Sequence, residues 1–209
     1  MVEGDDISAS NLTIKNTSGE HGQAIALSVV ANRAKIFNCN LLGNQDTLYL
    51  SGKGAKQYFK DCYIEGTTDF IFGGATALFE NCNIHSIKSS YITAASTPEG
   101  TPFGFVFRNC KLTANPEAKD VYLGRPWRIY AKTVFINCEM GKQIKPEGWE
   151  NWSKPDAEKK SFYAEYNCSG EGFQPSKRVK WSHQLSNKEA AQYSIENILK
   201  DKIVNWYSL

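Results

Sequence analysis

Net charge, long apolar runs and the common catalytic signatures are all scarce in this sequence. Lysine and arginine number 24 against 22 aspartates and glutamates, a balance of +2 that is too small to point to nucleic acid or a membrane surface as partner. No apolar run approaches the roughly 20 residues a membrane helix needs, and no charged-then-apolar leader opens the chain. There is no CxxC pair to suggest structural zinc and no G-x-S-x-G elbow to suggest a serine hydrolase. The glycines at Gly52, Gly54, Gly73 and Gly74 form no phosphate-binding pattern and read as turns. His21, His85 and His183 share no metal-ligand spacing. What is present is 209 residues, 41% hydrophobic and 22% charged, which supplies a core and carries no signature of disorder. The chain reads as a soluble globular protein of a single domain spanning 1–209.

The six cysteines are too few for a disulfide-stapled scaffold of this length. Each follows an Asn or Asp: Asn38-Cys39, Asp61-Cys62, Asn81-Cys82, Asn109-Cys110, Asn137-Cys138 and Asn167-Cys168. Three residues before the cysteine stand Ile36, Phe59, Phe79, Phe107 and Phe135; two after it stand Leu41, Ile64, Ile84, Leu112 and Met140. The sixth copy is degraded. Gaps of 23, 20, 28, 28 and 30 residues between cysteines suit a solenoid with a loop of variable length inserted per turn.

Parity within the repeat selects the kind of solenoid. Cysteine and the aliphatic residue two later share one strand face, whereas the aromatic three before is out of phase, so the chain bends between them. Asn or Asp sits at that bend, and both tolerate left-handed backbone. Short strands with one tight corner per turn describe an all-β parallel β-helix whose cysteines form a buried ladder; disulfides between neighbouring rungs are the rival reading. A C-terminal helix is expected over 187–200, with Ser186 and Glu189 in capping-box spacing. The stretches 142–160 and 176–186 read as long surface loops. The chain opens directly in strand-like alternation, so either N-terminal coils are missing or another chain covers the open edge; the fragment is preferred.

The repeat also serves as a ruler. Asp46 and Asp69 each lie seven residues past a repeat cysteine, 23 residues apart, which places them at one position of adjacent coils, roughly 4.8 Å apart along the stack. Gln23 and Gln45 precede Asp46 by 23 residues and one residue, so amides join the same column or the next. Two close carboxyls split into a protonated acid and a carboxylate, and amides beside them could hold an oxyanion. On spacing alone, a solvated polar ladder explains the column equally well. The loop tryptophans Trp127, Trp149 and Trp152 suit either sugar stacking or core packing.

Gly43-Asn44-Gln45-Asp46-Thr47-Leu48-Tyr49, Gly66-Thr67-Thr68-Asp69-Phe70-Ile71-Phe72-Gly73 and Leu123-Gly124-Arg125-Pro126-Trp127 strongly resemble the signature segments of pectin methylesterases. Gln23-Ala24-Ile25-Ala26-Leu27 and Pro146-Glu147-Gly148-Trp149 resemble a fourth and a fifth. The resemblance implies a right-handed parallel β-helix that hydrolyses galacturonate methyl esters of pectin to free carboxylate and methanol. It implies Asp69 as nucleophile, Asp46 as proton donor and then base, Gln23 and Gln45 at the oxyanion site, and Arg125 as the partner that keeps Asp69 ionised. It further implies Trp127 and Trp149 against the sugar, Tyr49 and Phe72 shaping the cleft, no metal or organic cofactor, and a secreted or periplasmic location. Where the family has Asn after its Asp-Phe-Ile-Phe-Gly motif this chain has Gly74, and the family's N-terminal coils are missing. The chain is expected to be a monomer, self-association through the open edge being the alternative. The competing functions are a retaining glycosidase on galacturonan, which also uses paired carboxylates, and a non-catalytic pectin-binding β-helix.

Overall fold

The structure, a computed structural model, describes residues 1–208. Each of the first five windings contributes three short strands, later ones fewer, and equivalent strands of successive windings pair in parallel into sheets of eight, six and five strands. One winding reads Lys56–Lys60, Tyr63–Gly66, Ile71–Gly73; the next reads Thr76–Glu80, Asn83–Ser86, Tyr91–Ala95. The architecture is a right-handed parallel β-helix, the hand that parallel crossover connections take in about 98% of cases.

The repeat maps directly onto this winding. Every Asn or Asp before a cysteine is left-handed: Asn38, Asp61, Asn81, Asn109, Asn137 and Asn167 have φ between 48° and 53°. That corner separates the eight-stranded sheet from the six-stranded one and restores the phase that lets both the aromatic and the cysteine point inward. Phe59, Phe79, Phe107 and Phe135 stand in register, with ring centroids 4.9, 4.5 and 4.5 Å apart and nearly parallel planes. All six cysteines are buried and free. From the second rung on, each thiol lies 3.5–3.7 Å from the carbonyl oxygen of the ring-slot residue one winding earlier, as Cys110 does from Phe79 and Cys138 from Phe107. These weak S–H donors support the small hydrophobic ladder without any crosslink.

Three expectations need correction. Residues 142–160 are not simply a surface loop: Ile144 and Trp149 are each 1% exposed, and Pro155–Lys160 forms a helix with Ala157 buried. Trp149 continues the phenylalanine stack, 5.9 Å from Phe135 and face to face with Tyr163 at 4.4 Å. Within 176–186, Arg178 enters the interior. In the degraded sixth repeat Glu165 takes the place of the ring, in register with Phe135, and Arg178 pairs with it through Nε at 2.8 Å and Nη2 at 2.9 Å. Both side chains are essentially sealed from water, so removing one partner alone would leave a buried, uncompensated charge.

The helix expected over 187–200 is broken. The capping box at Ser186 and Glu189 forms, yet Asn187–Ala190 passes into a 3-10 turn, and Ser194 is extended before capping Ile195–Ile198. A serine hydroxyl competes well for such a cap. The break turns Ile198 and Leu199 onto the outer face of the eight-stranded sheet, against Tyr58, Leu78 and Val106. Among the described residues no helix is long and apolar enough to cross a membrane.

The corner ladder predicts a specific ranking. Asn81 is left-handed, so Asn81→Ala should destabilise the protein by about 1 kcal/mol relative to Asn81→Gly. Chemical denaturation of the two variants measures the difference; equal midpoints would remove the backbone explanation for the repeat.

Candidate active site

The site lies on the outer face of the five-stranded sheet, where strands Leu48–Leu50, Ile71–Gly73, Tyr91–Ala95 and Tyr122–Pro126 run side by side. Leu48 pairs with Ile71, so the residues two positions earlier, Asp46 and Asp69, occupy equivalent places on adjacent windings. Both are left-handed, at φ 63° and 51°, a conformation aspartate reaches more easily than most residues. Thr47 and Leu48 then face the core while Asp46 faces a cleft. That cleft, about 400 Å³ in volume, is lined by Gln23, Ile25, Asp46, Asp69, Phe72, Ala94, Trp127 and Trp152.

The two carboxyls are nearly buried, at 7% and 5% exposure, and their electrostatic surroundings differ. Among the described residues Asp46 makes no ion pair, and burial, reinforced by the charge of Asp69, pushes its pKa up to about 6. Burial also raises the pKa of Asp69, but there the fork of Arg125 opposes the rise. Arg125 donates from Nε to Oδ1 at 3.0 Å and from Nη2 to Oδ2 at 2.7 Å, the bidentate geometry that favours the ionised carboxylate. The two carboxyls therefore differ in one respect: Asp69 has an arginine clamp that favours its ionised form, and Asp46 has none, so a proton is held more readily on Asp46.

Arg125 is itself held by two aromatic rings, its guanidinium carbon 4.0 Å from the Tyr91 centroid and 3.7 Å from that of Trp152. It reaches Asp69 from two windings away, and the residue between, Ala94, is in register with both Phe72 and Arg125. The alanine leaves the space the guanidinium crosses. Tyr49, Phe72 and Trp127 make an aromatic row, with centroids 4.9 and 5.9 Å apart. Gly73 closes the strand beneath at φ 121°, where a Cβ would stand 2.0 Å from the Leu50 carbonyl oxygen. Only glycine fits there.

Of the residues singled out from the sequence, Asp46, Asp69, Gln23, Phe72 and Trp127 line the cleft, and Arg125 clamps Asp69 behind it. Tyr49 packs on Phe72 beyond the lining. Gln45 is half-buried and borders a neighbouring polar depression with Asn44, Thr67 and Thr68; the left-handed step at Asp46 separates its direction from that of the aspartate. Trp149 is a correction: it belongs to the core stack, and the indole that joins Trp127 in the cleft is Trp152. The sequence showed both tryptophans three residues apart, but not the two left-handed residues, Trp152 and Ser153, that turn the second one outward. Tyr91 had no signal beyond its place one winding after Asp69.

Comparison with known proteins agrees with this geometry. The chain is 44% identical over 197 residues to Pectinesterase 31 of Arabidopsis thaliana, covering 92% of this chain and 61% of that protein. Its fold matches the solved pectin methylesterase from carrot with a TM-score of 0.88 at 29% identity, over 95% of this chain and 66% of that one. It also matches a pectin methylesterase solved in complex with a hexasaccharide, with a TM-score of 0.80 at 32% identity, over 95% of this chain and 71% of that one. The chain thus spans about six-tenths of the length of its Arabidopsis relative. The pectinesterase family model matches residues 1–202, and the protein belongs to the pectinesterase family.

Proposed function

We infer that the protein hydrolyses the methyl esters of galacturonate units in pectin, releasing methanol and leaving a free carboxylate. The observation that carries this reading is the pair of buried carboxyls on one cleft in contrasting surroundings, one unclamped and raised to about 6, the other gripped by an arginine fork. An ester needs both a nucleophile to attack its carbonyl and an acid for the departing alcohol. The hexasaccharide bound by the related enzyme supports a sugar polymer in the cleft, and family membership supports an extracellular or periplasmic place of action.

In this mechanism an oxygen of Asp69 attacks the ester carbonyl carbon, and the carbonyl electron pair moves onto the oxygen. Gln23, the amide facing the cleft, donates a hydrogen bond to that oxyanion; Gln45 borders the adjoining polar depression. Collapse breaks the bond to the methoxy group, which leaves as methanol with the proton of Asp46. The acyl group is then held on Asp69 as a mixed anhydride, and Asp46 is a carboxylate. Water gives a proton to Asp46 and attacks the acyl carbon, regenerating both aspartates as they began. The galacturonic acid formed loses its proton to solvent. Arg125 keeps Asp69 ionised before attack and stabilises it as leaving group afterwards. Phe72, Trp127 and Trp152 provide flat apolar surfaces for sugar rings, with Tyr49 extending the row.

Asp69→Asn should abolish methanol release from methylated pectin while leaving the circular dichroism spectrum, and so the fold, near wild type. Turnover at the wild-type rate would eliminate Asp69 as nucleophile. For pH, the acid form of Asp46 is needed for methanol departure and the base form of Asp69 for attack. The kcat/KM profile should therefore be bell-shaped, its alkaline limb falling with an apparent pKa near 6. Asp46→Asn should remove that limb and lower activity by about 10²- to 10⁴-fold.

The same substitution has an opposite effect on stability. The folded pKa of Asp46 lies above its unfolded value, so the folded state loses stability as pH rises between about 4 and 6. Asp46→Asn, which cannot ionise, should be more stable than wild type by roughly 1–2 kcal/mol at pH 7, a gain that vanishes below about pH 4. Denaturation at the two pH values measures this.

A further inference from the structure

The segment from Glu150 to Lys154 carries Trp152 into the wall of the cleft, and its backbone is strained. Trp152 and Ser153 are left-handed at φ 54° and 53°, a conformation disfavoured for any residue with a Cβ and found where surrounding contacts enforce it. Two side chains hold the turn to itself: Glu150 accepts from the Trp152 amide and Asn151 from the Ser153 amide, both at 2.9 Å. The start of the segment is tied to the sheet by the Glu150 amide, 3.2 Å from the Gly124 carbonyl oxygen.

The far end is tied by a side chain. Lys154 is half-buried, and its Nζ donates to the carbonyl oxygens of Pro126 at 2.8 Å and Trp127 at 3.2 Å. The same ammonium lies 4.2 Å from the centroid of the Trp152 ring. One group therefore touches both tryptophan-bearing segments that flank the cleft: the carbonyl edge of Trp127 and the indole face of Trp152. An unpaired surface lysine keeps its head in water; this one spends two of its three N–H donors on backbone carbonyls.

We propose that Lys154 is a positioning residue that clasps the Trp127 and Trp152 segments together and so fixes the distance between the two indoles for a sugar ring. The clasp rests on the pectin-esterase reading for its kinetic consequences, though its structural part does not. Because it acts on the walls rather than on the reacting atoms, it governs binding more than the chemical step. Its positive charge also reaches Asp69 and helps hold that carboxyl ionised.

Lys154→Met keeps the aliphatic stem and removes the charge and the donors, whereas Lys154→Arg keeps both. In Lys154→Met the KM for methylated pectin should rise roughly five- to tenfold, with kcat within about twofold of wild type. The acid limb of kcat/KM should move to higher pH, and the near-ultraviolet circular dichroism of the tryptophans should change without a large fall in melting temperature. Lys154→Arg should restore all three. A Lys154→Met protein with wild-type KM and acid limb, or one whose defects arginine does not relieve, would overturn the clasp. If wild-type protein releases no methanol, the esterase reading fails by itself; an unchanged tryptophan spectrum in Lys154→Met would then sink the clasp separately.

Discussion

Every feature of this protein depends on one constraint: successive windings must stack in parallel with no slip. Strands in a sheet lie about 4.8 Å apart, and a shift of one residue would send every side chain to the opposite face. The left-handed Asn or Asp at each corner fixes that register by ending one strand and starting the next at the same point of every winding. The phenylalanine stack and the cysteine ladder reinforce it, because a slipped ring would meet a gap instead of another ring. Both the core and the site follow from the same alignment.

The catalytic pair illustrates how stacking creates chemistry. Asp46 and Asp69 come from different windings, yet in-register pairing sets them at one height on one cleft. Burial raises both, and the difference between them comes from a third winding and a fourth. Ala94 contributes only a methyl group, and Arg125 reaches over it to clamp Asp69 alone. A symmetric column of acids thus becomes an acid and a base because one neighbour is a long cation and the other is not. The aromatic rings of Tyr91 and Trp152 hold the guanidinium in place, so the asymmetry is built into packed side chains rather than left to solvent.

The C-terminal third closes the stack. When the repeat degrades, Glu165 replaces a phenylalanine, and Trp149 and Tyr163 fill the end of the ring column. Arg178 neutralises the buried glutamate and also donates to the carbonyls of Lys145 and Pro146, holding the segment just before Trp149 and the turn that carries Trp152. End-capping and cleft-building therefore share residues, which explains why segments with loop-like composition carry so much buried structure.

Much of this was legible in the residues themselves. The Asn/Asp-Cys repeat, with its parity and spacing, specified strands, corner and stack, because those depend on local backbone preference and on side chains meeting their own equivalents. The 23-residue step brought Asp46 and Asp69 together for the same reason. What followed no period required the folded chain. The sequence treated Trp149 and Trp152 alike, but one completes the aromatic column and the other is turned out by two left-handed residues. It offered 187–200 as one helix, but Ser194 breaks it so that Ile198 and Leu199 can cover the sheet. It placed Gln45 with the aspartates, but the backbone step at Asp46 turns it to the next depression. Repetition determines what lies above what; the direction of a side chain in a non-repeating loop depends on contacts with residues far away in the chain, and those exist only once the windings have stacked.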